Sequence, residues 1–461
     1  MYIEQLYTQC LAEAAYYIES DGEAVIIDPL RETEPYIALA KKRGATIKYI
    51  FETHFHADFV SGHIDLAAKT GAVIVYGPTA QTVFYSLVAE DEELFTIGDA
   101  KLKVLHTPGH TMESACYLLY DESGKEHAVF TGDTLFVGDV GRPDLAIKSD
   151  LTQEDLAGML YDSLNKKIKP LADDVIVYPA HGAGSACGKN IGKETFSTIG
   201  VQKKTNYALQ PMTRKEFVAA VTEGLAEPPG YFAMDAMLNK QGYENIEQIL
   251  SKNTNPLSVE EFEKAIGEGM LILDTRNADE FERGSIKDAL NIGLNGQYAP
   301  WVGALLDVNQ PLLLITDEGK ETEAVLRLAR VGYEKVHGFL KGGMEAWQKA
   351  GKVVSYMDSI TAKEFSKNIA QKKIIDVRNA SEWKNGVIEQ AQLISLNDLQ
   401  KQLSFLNKNE HYYIHCAGGY RSMMAASLMK KSGFNQVTNV KGGIAKIQEE
   451  QIALVEPVIE Q

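Results

Sequence analysis

The sequence predicts an α/β chain: one large front unit followed by two copies of a smaller α/β domain. Three observations carry this. Short β-rich runs alternate with helical patterns over about the first 190 residues. A repeat of about 100 residues occupies the rear half. Brief linkers, 253–256 and 351–358, separate the copies from what precedes them.

In the front unit, strands are expected at 24–27, 49–51, 72–76, 102–105, 128–130 and 174–178. Helical patterning marks 34–43, 62–70 and 153–164. Residues 196–250 read as a helical extension of the same domain, which makes the front domain 1–250. In the rear, Ser258-Val-Glu-Glu-Phe262 matches Thr361-Ala-Lys-Glu-Phe365. Leu273-Asp-Thr-Arg-Asn-Ala278 matches Ile375-Asp-Val-Arg-Asn-Ala380, and Leu340-Lys-Gly-Gly343 matches Val440-Lys-Gly-Gly443. The copies span 256–350 and 358–455, each alternating strands with helices around a parallel sheet.

The length of 461 residues fits about three domains. A net charge of −17 disfavours nucleic acid and anionic membranes as partners, since both require a basic footprint. It leaves room for a small anionic substrate held by a local cation. No apolar run reaches the roughly 18 residues of a membrane span. The start, Met-Tyr-Ile-Glu-Gln-Leu, lacks a signal pattern. Cys10, Cys116, Cys187 and Cys416 are too dispersed for a disulfide framework, so a reducing, cytoplasmic setting is expected.

The chemistry concentrates at strand ends. Residues 53–63 read Thr-His-Phe-His-Ala-Asp-Phe-Val-Ser-Gly-His. His54, His56 and Asp58 have the spacing of a metal site on a strand-to-loop turn. His110 lies in Thr107-Pro-Gly-His-Thr111, Asp133 in Phe130-Thr-Gly-Asp-Thr134, and His181 follows Tyr178-Pro-Ala. A lone histidine or aspartate at a strand end reads as a cap or a satisfied polar group. Several Gly-flanked His/Asp turns in one domain read as one shared metal site assembled from distant sequence.

These motifs resemble the metallo-β-lactamase superfamily over residues 1–190, which implies an αββα sandwich. Two branches compete. Thioesterases of the glyoxalase II kind hold two metals and use a bridging hydroxide. Persulfide dioxygenases of the ETHE-one type hold one ferrous iron. A two-metal hydrolase carries another histidine directly after the aspartate, and this chain has Phe59 there. The segments 133–145 and 178–184 also look like the dioxygenase branch. That resemblance implies one Fe(II) per chain on His54, His110 and Asp133, with His56, Asp58 and His181 orienting ligands and water. Spacing alone equally allows His56 as a ligand. Arg142 is the candidate grip for an anionic group of the thiol carrier. Cys187 is a candidate to line the site and relay sulfane sulfur.

The second repeat carries Tyr413-Ile-His-Cys-Ala-Gly-Gly-Tyr-Arg-Ser422. A strand ends at Cys416, and a Gly-containing loop feeds a helix whose positive end stabilises an anion at the sulfur. Arg421 is expected to close the ring of donors. This stretch resembles the rhodanese sulfurtransferases, as do Asp376-Val-Arg378 and Val440-Lys-Gly-Gly443. A phosphatase loop has five residues between its cysteine and arginine; here there are four, which suits a single persulfide sulfur. The first repeat has Asp317 where Cys416 stands and no arginine, and its shorter spacing to Gly332 predicts a shorter loop. It reads as a rhodanese-like domain without sulfurtransferase chemistry, with Asp274 and Arg276 as a structural pair. A role in assembly, and hence a homo-oligomer, is expected of it.

The resemblances together imply a persulfide dioxygenase fused to a sulfurtransferase. The expected partners are O₂, sulfite or thiosulfate, and a low-molecular-weight thiol persulfide of glutathione, coenzyme A, bacillithiol or cysteine. The rival readings are a glyoxalase II-like thioesterase with a fused sulfurtransferase, and a sulfur-carrier or redox-sensing protein.

Overall fold

The computed structural model describes residues 1–146 and 151–457. The chain forms two compact units: Met1–Ile249 with Ala329–Gly332, and Leu250–Leu328 with Tyr333–Gln461. Apart from residues 329–332, both repeats therefore lie in the second unit.

The front unit holds two six-stranded sheets. The first runs Tyr2–Thr8, Glu13–Ser20, Glu23–Ile27, Thr46–Glu52, Val73–Tyr76 and Leu87–Val88 in that spatial order. The second runs Ser197–Thr198, Ile176–Pro179, Glu126–Gly132, Ala115–Tyr120, Ala100–His106 and Leu94–Ile97. Tyr16, Phe51 and Val75 of the first sheet pack with Leu102, Tyr117 and Phe130 of the second in one buried cluster. Opposite faces bury Tyr17, Ile26 and Ile50 against Tyr36 and Leu66 of two helices, Glu34–Arg43 and His63–Thr70. Leu118 and Val129 pack with Ala157 and Leu160 of helix Gln153–Ser163 and with Phe217 of Arg214–Thr222. This is the expected αββα sandwich.

Every predicted strand of the front unit is present, and six further strands, central and edge, were not foreseen. Glu13–Ser20 shows why: it is buried on both faces, so its apolar and small residues run on without alternating. The 196–250 extension is helical, with Ile199–Thr205, Arg214–Thr222, Phe232–Gln241 and Ile246–Asn253.

Each repeat is a five-stranded parallel sheet. The first is ordered Pro256–Leu257, Val336–Leu340, Leu312–Ile315, Leu271–Asp274, Leu290–Asn291. The second is ordered Asp358–Ile360, Gln436–Val440, His411–His415, Lys373–Asp376, Ala391–Leu393. The repeated Ser/Thr-x-x-Glu motif opens a helix in each copy. The Ser258 and Thr361 side chains accept from the backbone N–H of Glu261 and Glu364, and those glutamates accept from Ser258 and Thr361 in return. The repeat thus encodes a capping box. One expectation needs correcting. The loop at Asp317 spans 316–320 and the loop at Cys416 spans 416–419, so the cysteine-free copy does not have the shorter loop. Its shortening lies in the helix that follows, 9 residues against 12.

Candidate metal centre and sulfur-transfer loop

The ligand candidates come together because four loops leave the strands at one edge of the sandwich. His54 follows Thr46–Glu52, His110 follows Ala100–His106, Asp133 follows Glu126–Gly132, and His181 follows Ile176–Pro179. Gly132 adopts φ +50°, and a Cβ there would lie 2.6 Å from the Thr53 side chain. Only glycine lets the Asp133 loop approach the His54 loop this closely.

His54, His110 and Asp133 are buried, and their ligand atoms all lie within 4.8 Å of one another. Asp133 Oδ2 is 3.4 Å from His110 Nε2 and 3.9 Å from His54 Nε2. Adjacent ligands on bonds of about 2.1 Å sit about 3 Å apart, so a slight contraction closes this set on an ion. Second partners fix which nitrogen faces inward. The Thr53 hydroxyl donates to Asp28 Oδ2 at 2.8 Å, so it accepts from His54 Nδ1 at 2.9 Å. The Arg142 carbonyl accepts from His110 Nδ1 at 2.8 Å. Both rings therefore present a bare Nε2 to the centre. Burial first, then the neighbouring His56, His110 and His181, hold His54 well below the ordinary histidine range, and hence neutral.

His54 Nε2 and both Asp133 carboxylate oxygens have no hydrogen-bond partner in the protein. Buried polar atoms left this way are costly. A cation would satisfy all three, and two imidazoles with one carboxylate suit a first-row metal.

A second group lies alongside. His181 Nδ1 donates to the Ala12 carbonyl at 3.2 Å, and Nε2 faces Asp58 Oδ2 at 3.4 Å and Asp133 Oδ1 at 3.5 Å. Burial alone would lower this imidazole, but Asp58 and Asp133 raise it above its usual value. His56 Nε2 sits 3.0 Å from Asp28 Oδ1 and 3.6 Å from Glu52 Oε2. Its ring also lies 4.3 Å, centroid to centroid, from that of Phe59, which is fully buried. Phe59 thus fills space beside this group with hydrocarbon.

Two residues outside the expected set hold the loop that carries His54, His56 and Asp58. Asn239, from the helical extension, donates through Nδ2 to the carbonyls of His56 (2.8 Å) and Phe59 (2.7 Å), and its Oδ1 accepts from Ser61 N–H at 2.8 Å. Asp28 takes both the N–H and the hydroxyl of Thr53. Asp28 could have been noticed at the end of a strand before Pro29; Asn239 had no local signal.

Arg142, expected to grip an anion, is turned to protein partners. It is buried, with Nε and one terminal nitrogen on Asp144 at 2.6 and 2.7 Å and further bonds to the Ala226 and Ala186 carbonyls. Each of its three side-chain nitrogens has a protein partner, and its functional group toward the centre is its backbone carbonyl. Cys187 is buried with Sγ within 4.8 Å of ligand atoms of Asp133 and His181. Burial, then Asp58 and Asp133, push its thiol well up. A cavity of about 460 Å³ opens beside His110, lined by Phe55, Met112, Leu145 and Met237 among apolar groups, with Glu113. Lys240 is the one cation among the described residues that line it.

In the rear unit Cys416 is buried at the end of strand His411–His415, and Gly419 N–H donates to its sulfur at 3.1 Å. The Ser422 hydroxyl lies 3.6 Å away. Gly443, at φ +57°, runs against this loop: a Cβ there would be 2.3 Å from the Cys416 carbonyl oxygen. That contact accounts for the second glycine of the motif in this copy; at the matching Gly343 a Cβ would lie 3.6 Å from the Thr316 carbonyl oxygen. Arg421 departs from expectation. Its terminal nitrogens both go to the Glu382 carboxylate at 2.6 and 2.7 Å. Asp376–Arg378 and Asp274–Arg276 form the same pair, the arginine also reaching the carbonyl of Gly386 or Gly284 at 2.9 Å.

The model of the metallo-beta-lactamase superfamily matches residues 9–181, and that of the rhodanese-like domain matches 258–350 and 361–450. A crystal structure of a metallo-beta-lactamase from Staphylococcus aureus superposes with a TM-score of 0.65 at 32% identity, covering 74% of this chain and 98% of that one. The chain belongs to the metallo-beta-lactamase superfamily. Behind that domain it carries two rhodanese-like domains. A probable hydroxyacylglutathione hydrolase of Schizosaccharomyces pombe is 36% identical over 200 residues, 42% of this chain and 72% of that protein. The human mitochondrial persulfide dioxygenase ETHE1 is 34% identical over 167 residues, 34% of this chain and 59% of that protein. The chain thus spans under two thirds of the dioxygenase. Hydrolase and dioxygenase relatives match at comparable identity, so the choice between them rests on the residues at the site. Among the described residues, no helix is long and apolar enough to cross a membrane.

Proposed function

We propose that this chain is a persulfide dioxygenase joined to a sulfurtransferase. The observation that supports it most is Phe59, packed on His56 where a second-metal histidine would stand, beside a two-histidine, one-carboxylate set. His54, His110 and Asp133 would hold one Fe(II). When bound, that iron supplies the redox chemistry that lets O₂ react with a persulfide sulfur.

The chain's own residues do the rest. Thr53 and the Arg142 carbonyl keep both Nε2 atoms directed at the metal. Asp58 and His181 orient a water and move its proton beside Asp133. Phe55, Met112, Leu145 and Met237 exclude water from the reacting sulfur. Lys240, in place of Arg142, holds the carboxylate or phosphate of the thiol carrier. The net reaction consumes one persulfide, one O₂ and one water and gives the thiol, sulfite and protons. At Cys416 the outer sulfur of a cysteine persulfide passes to sulfite, giving thiosulfate and the free thiolate; the reverse transfer uses the same groups. Gly419 N–H and the helix end stabilise that thiolate.

The test is O₂ uptake by the iron-loaded chain over persulfides of glutathione, coenzyme A, bacillithiol and cysteine, with sulfite quantified. Uptake with sulfite formation is expected. No uptake with any of them, together with two metals per chain and hydrolysis of a glutathione thioester, would establish the thioesterase instead.

A further inference from the structure

We infer that the cysteine-free repeat is a positioning element for the sulfur-transfer loop, and that Tyr420 is the residue through which it acts. The inference rests on the reading of Cys416 as the sulfur carrier.

Tyr420 is the first residue of the helix that follows the Cys416 loop, directly after the Gly419 whose N–H reaches the sulfur. Its side chain belongs to one repeat and its partners to the other. The hydroxyl donates to the Gly293 carbonyl at 2.6 Å. The ring fills the space above Gly296, where a Cβ would lie 2.5 Å from Tyr420 Cζ. Further along the same helix, Ser427 Oγ accepts from Asn291 N–H at 3.1 Å. Positions 420 and 427 are two turns apart on one helical face. The helix that carries the loop is thus pinned twice by the copy that lacks a cysteine.

That copy braces the receiving loop. Arg327 donates to the carbonyls of Leu294 at 2.5 Å and Gly296 at 2.7 Å. Leu294 N–H donates to the Thr275 carbonyl at 2.9 Å, and Asn291 Nδ2 to those of Asp274 and Arg276 at 3.1 and 2.9 Å. The sequences of the two copies differ at the points this requires. Ile292-Gly-Leu-Asn-Gly296 aligns with Ile394-Ser-Leu-Asn-Asp398. In the second copy Ser395 caps a helix by accepting from Asp398 N–H. The first copy gives up that cap and has glycine at both positions, which makes the seat for Tyr420. A domain kept only for packing has no reason to exchange a helix cap for a seat under its neighbour's catalytic loop.

The experiment uses the full chain. Tyr420→Phe removes the hydroxyl bond and Gly296→Val displaces the ring. Each is expected to lower kcat for sulfur transfer from thiosulfate about tenfold, the size of one lost hydrogen bond, with KM little changed. O₂ uptake should stay at the wild-type level, and Tyr420→Phe should lower the melting temperature by no more than the loss of one hydrogen bond. The rate at which iodoacetamide alkylates Cys416, followed against pH, should shift in both variants. The alkylation profile reads loop geometry even in a chain that transfers no sulfur, so failure of the sulfurtransferase reading and failure of this one are distinguishable. Wild-type kcat and wild-type alkylation in both variants would overturn the inference. So would a loss that merely tracks a fall in melting temperature.

Discussion

Asn239→Ala should damage the metal centre without touching a ligand. The amide is fully buried and makes three bonds of 2.7–2.8 Å to the loop that carries His54, His56 and Asp58. Alanine removes all three and strands two carbonyls and one N–H in the interior. At about 1 kcal/mol per bond, rising where a buried group is left unpaired, the front unit should lose about 3–5 kcal/mol. Because this loop also aims ligands, metal affinity should fall about 10–100-fold, the usual cost of removing a support behind a ligand. Denaturant unfolding measures the first and metal titration the second. Asn239→Asp keeps the acceptor for Ser61 N–H but has no donors, so it should be nearly as damaging. A loss under about 1 kcal/mol with unchanged metal affinity would refute the reasoning.

Other substitutions separate the remaining roles. Phe59→His restores a nitrogen ligand next to Asp58 and His181; metal content should rise from about one to about two per chain and persulfide-dependent O₂ uptake should fall, as metal analysis and an oxygen electrode would read. Lys240→Gln should raise KM for glutathione persulfide about 5–10-fold with kcat kept, and leave an uncharged persulfide such as that of N-acetylcysteamine unaffected; equal effects on both would remove the lysine from recognition. Cys416→Ser should abolish sulfur transfer while O₂ uptake persists, and any surviving transfer would move the carrier role elsewhere.

Much of the site was legible because its signals are local. The turns at His54, His110, Asp133 and His181 each announce themselves by a polar residue at the end of an apolar run, and the αββα order predicts that such ends converge. Arg142 and Arg421 show the limit of that reasoning. Both have the right residue type on the right loop, yet an arginine commits its donors to whichever acceptors surround it. Here Asp144 and Glu382 lie closest, and neither competitor is marked in the sequence.

The sequence by itself determined the sandwich, the duplicated rear domain, the His/Asp turns that converge in the front unit, the phenylalanine at position 59, and which repeat carries a cysteine. Those depend on residue type, spacing and periodicity. Only the tertiary structure decided which imidazole nitrogen faces inward, that Asn239 holds the metal loop from 180 residues away, that Lys240 rather than Arg142 faces the cavity, and that Tyr420 is seated on the other repeat. Each of these is a hydrogen bond or a void shared between segments remote in sequence. Such contacts are set by packing, and no window along the chain contains both partners.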